Sequence, residues 1–369
     1  MSIAYNAREI FNGHEILTGH AVLVRDAKVV DIVPRHSVPA AYRSVHLEGY
    51  MLAPALMDLQ IYGGNGKLFS AELSTQSLEA TYEYCMAGGC SRFMITLATN
   101  SMDKFLRGID VIRQYWSSGG EGLLGLHLEG PFINPAKKGA HLEAFIKKPV
   151  AAELRSLLDH GKGVIKLMTM APEICDQASL DMISAEGIVL SAGHSNATYE
   201  QAVNAFYGGI PAATHLFNAM SPLQGREPGM VGAVYDHPEV MSSIVCDGVH
   251  VDFASVRISK KIMGQRLYFI TDAVAQVSHG EYPHVFRGDR YTLPNGTLSG
   301  SALTMLQAVK NGVEKVGIPL PEALRMASLY PATLMGIDHT YGCIKPGSAA
   351  EFILIGEDLS LKRLLLAGE

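Results

Sequence analysis

Eight apolar runs recur through the middle of this chain, most of them closing on a polar residue and leading into a helical pattern. They are Met51 to Gln60, Arg92 to Thr99, Leu123 to Glu129, Val164 to Met170, Gly187 to Gly193, Pro211 to His215, Ser242 to Asp247 and Leu267 to Asp272. Apolarity that is continuous rather than alternating is what strands buried on both faces need, as in a parallel sheet. The intervening segments carry helical spacing. Ala197 to Phe206, for example, sets Tyr199, Ala202, Val203 and Phe206 on one face. Eight strand–helix units predict an α/β fold of the (β/α)8 TIM type. The competing arrangement is an open doubly wound sheet, which a glycine-rich dinucleotide fingerprint would favour. Gly63-Gly-Asn-Gly66 lacks that G-x-G-x-x-G spacing and the ribose-binding acid that follows it, and reads as a tight loop.

The two ends differ from the middle. Ala21 to Val24 and Lys28 to Val33 are short β-rich runs, and Gly342 to Gly347 leads into another at Glu351 to Ile355. One small sheet domain built from both termini is the expectation, with residues 1–53 and 341–369 flanking a barrel of 54–340. With 48% hydrophobic and 18% charged residues, the 369-residue chain can bury a sizeable core. Its net charge of -6 and the lack of a basic block argue against a nucleic-acid partner. No apolar stretch reaches the ~18 residues of a membrane span. Arg8 and Glu9 break the N-terminus before a signal-peptide core could form, so the expected location is cytoplasmic. Cys85, Cys90, Cys175, Cys246 and Cys343 are odd in number and form no C-x-x-C, which predicts reduced thiols rather than disulfides or a thiolate metal site.

Chemistry concentrates where the runs end. Leu124-Gly-Leu-His-Leu-Glu129 closes on a carboxylate, Leu190-Ser-Ala-Gly-His194 and Ala212-Ala-Thr-His215 on histidines, and Phe269-Ile-Thr-Asp272 on a second carboxylate. In a barrel of this type the C-terminal strand ends converge on one mouth. A single strand-end histidine is an ordinary structural residue. Four such groups together differ, because each would cost several kcal/mol if buried unpaired. Glu129, His194 and His215 form the three-ligand set with an open position that catalytic zinc uses. Asp272 is then either a partner that orients a ligand histidine or a general acid/base beside the attacking water.

Seven segments together carry a resemblance. They are Leu126-His-Leu-Glu-Gly-Pro-Phe-Ile-Asn134, Lys137-Lys-Gly-Ala-His141, Ala192-Gly-His-Ser-Asn-Ala197, Thr214-His-Leu-Phe-Asn-Ala-Met220, Cys246-Asp-Gly-Val-His-Val-Asp252, Ile270-Thr-Asp-Ala273 and Asn295-Gly-Thr-Leu-Ser-Gly-Ser-Ala-Leu-Thr-Met305. In this order they resemble the N-acetylglucosamine-6-phosphate deacetylases of the amidohydrolase superfamily. The resemblance implies a metal-dependent barrel with a small β-sandwich formed by both termini. It implies one divalent ion per subunit, zinc, on Glu129, His194 and His215, with Asp272 as acid/base and His141 polarising the acetyl carbonyl. Substrate contacts are implied at Ala140, Asn218, Ala219, Arg226, His250 and Leu303, with Arg226 and His250 at the phosphate. A homodimer is also implied, with Arg226 reaching into the neighbouring site.

Three departures from the family pattern bear on this expectation. Asp58-Leu-Gln60-Ile-Tyr62 stands where many amidohydrolases carry His-x-His and bind a second metal, which predicts a single ion here. The stretch Ala273 to His284 lacks the glycine-containing sequence expected after Asp272. In the C-terminal run, Ala350-Glu351-Phe replaces the usual Ala-Asp-Leu, which reads as structurally neutral. The expected reaction is hydrolysis of N-acetylglucosamine 6-phosphate to glucosamine 6-phosphate and acetate, in amino-sugar catabolism and cell-wall recycling. The alternatives are a deacetylase of the galactosamine epimer, a ring amidohydrolase, which would need the missing His-x-His, and a catalytically silent sugar-phosphate-binding barrel.

Overall fold

Proline has no N–H for a sheet ladder, and at Pro54 the first apolar run divides in two. Arg43–Pro54 belongs to one sheet, while β1 (Leu56–Ile61) belongs to another, with all six of its residues buried. This computed structural model describes residues 2–277 and 280–366. Seven further strands follow β1: β2 (Cys90–Ala98), β3 (Leu123–Glu129), β4 (Ile165–Met170), β5 (Val189–Ala192), β6 (Ala212–Ala213), β7 (Met241–Ile244) and β8 (Leu267–Phe269). They stand side by side in chain order in one eight-stranded sheet. The pairings from β2 to β8 are parallel. The ring closes just beyond β1 and β8, where Ile61 bridges Ala273 in parallel, Asp272 N–H donates to Gln60 O at 3.0 Å and Tyr62 N–H to Ala273 O at 2.9 Å. This is the expected (β/α)8 barrel.

Helices separate the strands, and their starts are written in the sequence. Ser101 caps Met102–Ser117, Asp176 caps Gln177–Ala185 and Asp252 caps Phe253–Met263, each side chain accepting a backbone N–H of the first turn. Thr198 and Gln201 form a reciprocal capping box on Tyr199–Tyr207. A cap of this kind contributes about 1 kcal/mol. Of the face that the spacing predicts, Ala202 and Phe206 are buried and Tyr199 and Val203 half-buried.

By its contacts the chain divides into two compact units, one of Met1–Asp58, Cys85–Arg92 and Thr304–Glu369, the other of Leu59–Tyr84 and Phe93–Leu303. The first holds a seven-stranded sheet. Its order is Leu361–Leu365, Phe352–Ile355, Arg43–Pro54, Ser2–Phe11, His20–Arg25, Lys28–Pro34, with Ile16–Thr18 also on Ser2–Phe11. The two termini meet there in antiparallel register, Phe352 opposite Pro54 and Ile355 opposite Met51. Ile3, Tyr5, Val22, Leu52, Phe352 and Leu354 are buried together as its core. Glu351 ties two segments of this unit together. It is only 7% exposed, accepts a hydrogen bond from Ser91 Oγ at 2.8 Å, and is gripped by Arg92 through Nε at 3.0 Å and through Nη2.

Candidate active site

The strand ends deliver their side chains through an unusual backbone. His194, His215 and Asp272 each lie two or three residues beyond a strand, at φ of +48°, +39° and +55°. This left-handed region costs a non-glycine residue about 1–3 kcal/mol and persists where neighbouring structure enforces it. Here the enforcing bonds are Gly193 N–H to Met170 O at 2.9 Å, His215 N–H to Ser243 Oγ at 2.8 Å and Asp272 N–H to Gln60 O at 3.0 Å. The kink turns three reactive side chains inward at the mouth.

Glu129 sits at the centre, and its two oxygens have different surroundings. Oε1 lies 2.9 Å from His215 Nε2, 3.2 Å from His194 Nε2 and 3.1 Å from Gln60 Nε2. Oε2 lies 3.1 Å from His141 Nε2 and receives the Tyr62 hydroxyl. Burial alone would push Glu129 up, but His194 and His141 outweigh it and hold the carboxyl well below its usual range.

Ring tautomers separate the histidines. The Nδ1 of His194 faces the Lys137 carbonyl at 2.9 Å, so it carries the proton and leaves Nε2 a lone pair. The Nδ1 of His141 receives the Thr99 backbone N–H at 3.3 Å and lies 2.7 Å from the Thr99 hydroxyl. A backbone N–H can only donate, so the neutral His141 ring keeps its proton on Nε2 and donates to Glu129. Burial, with the neighbouring His194, lowers His141 to about 4 and keeps the ring neutral.

Among the described residues, Glu129, His141 and His194 offer ligand atoms within 4.8 Å of one another. A tighter set runs through His215. Glu129 Oε1, His194 Nε2 and His215 Nε2 form a triangle with edges of 3.2, 2.9 and 3.1 Å. Ligand atoms about 2.05 Å from a tetrahedral zinc ion lie about 3.3 Å apart. One carboxylate and two imidazoles at that spacing fit a divalent ion, while His141 faces the other oxygen as a donor.

Asp272 stands beside this triangle. Gln60 Nε2 donates to its Oδ1 at 2.8 Å, and His250 Nε2 lies 3.8 Å from Oδ2. Burial pushes the Asp272 carboxyl up, against the pull of His215. His250 is itself oriented by Asp247, whose Oδ2 takes the Nδ1 proton at 2.6 Å.

A cleft opens over these groups. Of the residues expected at the site, Glu129, Ala140, His141, His194, His215, Asn218, Ala219, His250 and Asp272 line it. Arg226 does not, and is exposed on its own loop. Leu303 is also outside the wall: it is buried, with its carbonyl accepting Tyr84 OH at 3.0 Å. The wall near it is formed instead by Leu298, Ser299 and Gly300. Tyr62, Tyr282 and His284 line the cleft without having been singled out as site residues. Tyr62 was visible only as a departure from His-x-His, and the other two lie in the stretch where the family pattern fails.

A carboxylate and imidazoles that could hold a metal ion, with a second carboxylate beside them at the mouth of an eight-stranded barrel, form the kind of site that metal-dependent hydrolases use. Residues 46–368 match the amidohydrolase family and residues 5–52 match the NagA composite domain. The chain belongs to the amidohydrolase family. It is 37% identical over 331 residues to the N-acetylglucosamine-6-phosphate deacetylase of Haemophilus influenzae, covering 86% of each, and 32% identical over 341 residues to that of Homo sapiens, covering 87% and 83%. The crystal structure of the Pasteurella multocida N-acetylglucosamine-6-phosphate deacetylase superposes with a TM-score of 0.94 at 35% identity, covering 100% of this chain and 99% of that one. A mutant of the Mycobacterium smegmatis enzyme in complex with N-acetyl-D-glucosamine-6-phosphate gives 0.91 at 28% identity, covering 100% and 98%.

Proposed function

We propose that the chain is an N-acetylglucosamine-6-phosphate deacetylase. It hydrolyses the acetamide of the sugar phosphate to glucosamine 6-phosphate and acetate. The observation that carries this reading is the pairing of the Glu129, His194 and His215 triangle with Asp272, which Gln60 tethers at 2.8 Å. Those three residues would hold one divalent ion, zinc. When bound, such an ion polarises a carbonyl oxygen and makes a nearby water more acidic.

The chain's own groups divide the remaining work. With Oδ1 occupied by Gln60, Asp272 takes the proton of the attacking water on Oδ2. The water oxygen bonds to the acetyl carbon while His141 Nε2–H donates to the carbonyl oxygen, where negative charge develops. Asp272 then delivers its proton to the sugar nitrogen, the C–N bond breaks, and acetate and the amine separate. Ala140, Asn218 and Ala219 line the sugar's binding cleft, and His250 lies at its phosphate end with an Arg226. Among the described residues the wall of the cleft contains no Lys or Arg from the same chain, which supports a homodimer in which Arg226 arrives from the neighbouring subunit. Among the described residues no helix is long and apolar enough to cross a membrane, and the reading places the enzyme in the cytoplasm.

The test is acetate release by purified, zinc-reconstituted protein from N-acetylglucosamine 6-phosphate and from its galactosamine epimer. The glucosamine substrate should be turned over with the higher kcat/KM. Turnover of the epimer alone would move the assignment to that sugar, and binding without acetate release would make the chain a silent sugar-phosphate binder.

A further inference from the structure

We propose that His284, fixed by Ser299, is a hydroxyl-recognising residue in the wall of the cleft and helps set which hexosamine the site accepts. The inference rests on the deacetylase reading above. His284 lines the cleft yet is only 4% exposed. Its Nδ1 is engaged with Ser299 Oγ at 2.8 Å, while its Nε2 makes no hydrogen bond among the described residues. On a cavity wall and without a partner among the described residues, that nitrogen is placed for a ligand or water to satisfy.

The ring's position is fixed on a second side. It stacks on Tyr282, centroids 6.2 Å apart and planes within 12°. Tyr282 in turn donates its hydroxyl proton to Thr99 O at 2.6 Å and accepts Leu142 N–H at 3.4 Å. Thr99 is also the residue that holds His141 Nδ1. One strand end therefore sets both the group that polarises the acetamide and the wall against which the rest of the sugar rests. A displacement of that wall would be felt as misplacement of the substrate relative to His141.

The chemistry of the ring selects the ligand class. Burial lowers His284 to about 4, so the imidazole is neutral in the working range. A neutral ring offers Nε2 either as one donor or as one acceptor, depending on which way the Ser299 hydroxyl turns. A sugar hydroxyl matches both cases, being donor and acceptor at once. A phosphate dianion calls instead for charged or multiple donors, which one neutral imidazole with its Nδ1 already on Ser299 does not supply. His284 therefore addresses a ring hydroxyl and not the phosphate. Hydroxyl position is what distinguishes one hexosamine from its epimer, and a site built to bond a hydroxyl discriminates strongly against a sugar lacking it there.

Two substitutions separate recognition from support. His284→Asn keeps a side-chain amide within reach of Ser299 but ends short of Nε2, and His284→Gln restores a polar atom near Nε2. Both are assayed with wild type on N-acetylglucosamine 6-phosphate, on its 3-deoxy and 4-deoxy analogues and on the galactosamine epimer, alongside metal content and melting temperature. His284→Asn should lower kcat/KM on the parent sugar about five- to tenfold, the scale of one lost hydrogen bond, with metal content unchanged. His284→Gln should recover most of it. On one deoxy analogue wild type and His284→Asn should agree within about twofold, because the hydroxyl that His284 reads is already missing. Equal activity of His284→Asn and wild type on every sugar overturns the proposal, as does an equal fold-loss on the parent and both deoxy analogues, the mark of a merely structural role. If His284→Asn does not fold, Ser299→Ala carries the same comparison and must show the same dependence on one hydroxyl. Failure of wild type to release acetate from either epimer removes the deacetylase reading and this inference with it, an outcome distinct from the other two.

Discussion

An amide lies between two carboxylates at the barrel mouth. Gln60 Nε2 is 3.1 Å from Glu129 Oε1 and 2.8 Å from Asp272 Oδ1, and two acceptors facing one group require its nitrogen between them. Tyr62, two residues on, gives its hydroxyl to the other oxygen of Glu129, and burial together with the charge of Glu129 raises its pKa well above the ordinary phenol value. These neutral donors occupy the ground that a second cation would need. Elemental analysis of reconstituted protein should find one tightly held ion per chain, and two would assign Gln60 a bridging role instead. The same geometry separates acid/base from ligand. Asp272→Asn should keep its metal and lose activity by about 10²–10⁴-fold. His194→Ala should lose metal in a chelator competition, whereas His141→Gln should retain metal and lose turnover. Loss of metal from His141→Gln would move the ligand set to the Glu129, His141, His194 group. The strand-end residues were legible because each closes an apolar run, and a run of that kind is aimed at the mouth. Tyr282 and His284 were not legible, since nothing in Glu281-Tyr-Pro-His284 marks a polar residue for burial against a cavity. Nor does a sequence of L-residues announce positive φ at His194, His215 and Asp272.

At the scale of elements, period and punctuation carried most of the fold. Every apolar run of the middle became a barrel strand, though β6 keeps only Ala212–Ala213 in its ladder before the chain turns to present His215. The run from Met51 hid a boundary that Pro54 marks. What periodicity could not express is pairing between distant segments. The strand Phe352–Ile355 finds Arg43–Pro54 across some three hundred residues of chain, and the ion pair of Arg92 with Glu351 joins two other segments of the same unit. Arg92 also stacks over Tyr341, 4.8 Å from its centroid. Removing one partner of a buried pair leaves the other charge uncompensated, at a cost of about 3–5 kcal/mol. Arg92 retains 26% side-chain exposure against 7% for Glu351, so the two removals are unequal. Arg92→Ala strands a buried carboxylate and should lower unfolding stability by about 3 kcal/mol, read as a fall in urea midpoint at unchanged slope. Glu351→Gln leaves Arg92 able to turn toward water and should cost clearly less. Equal losses would show that the pair acts through packing alone.

At the scale of the whole molecule, the substrate poses a problem in charge. A phosphate dianion is best met by a planar, bidentate guanidinium, which a point-charge ammonium does not reproduce. Among the described residues the cleft wall contains no such group from its own chain. Arg226 sits in the exposed stretch Pro222 to Glu227, where Gln224 and Glu227 bond back on each other at 3.0 and 3.3 Å and Leu223 stands 53% exposed. A short braced loop with an apolar side chain in the open suits contact with a second copy of the chain. If Arg226 completes the neighbour's site, Arg226→Ala should weaken use of N-acetylglucosamine 6-phosphate far more than use of the unphosphorylated sugar. The loss should fall mainly on KM, because the phosphate is remote from the reacting bond. Mixing Arg226→Ala chains with Asp272→Asn chains then discriminates between the two placements. Assayed at substrate well below the KM of Arg226→Ala, each parent is nearly inactive, but a heterodimer contains one site with an intact Asp272 from one subunit and an intact Arg226 from the other. At equal mixing, half of the dimers are heterodimers and each regains one site of two, so activity should return to about one quarter of wild type. Activity that stays at the level of the parents after subunit exchange is demonstrated by tagged co-purification would place Arg226 on its own subunit's site or outside any site.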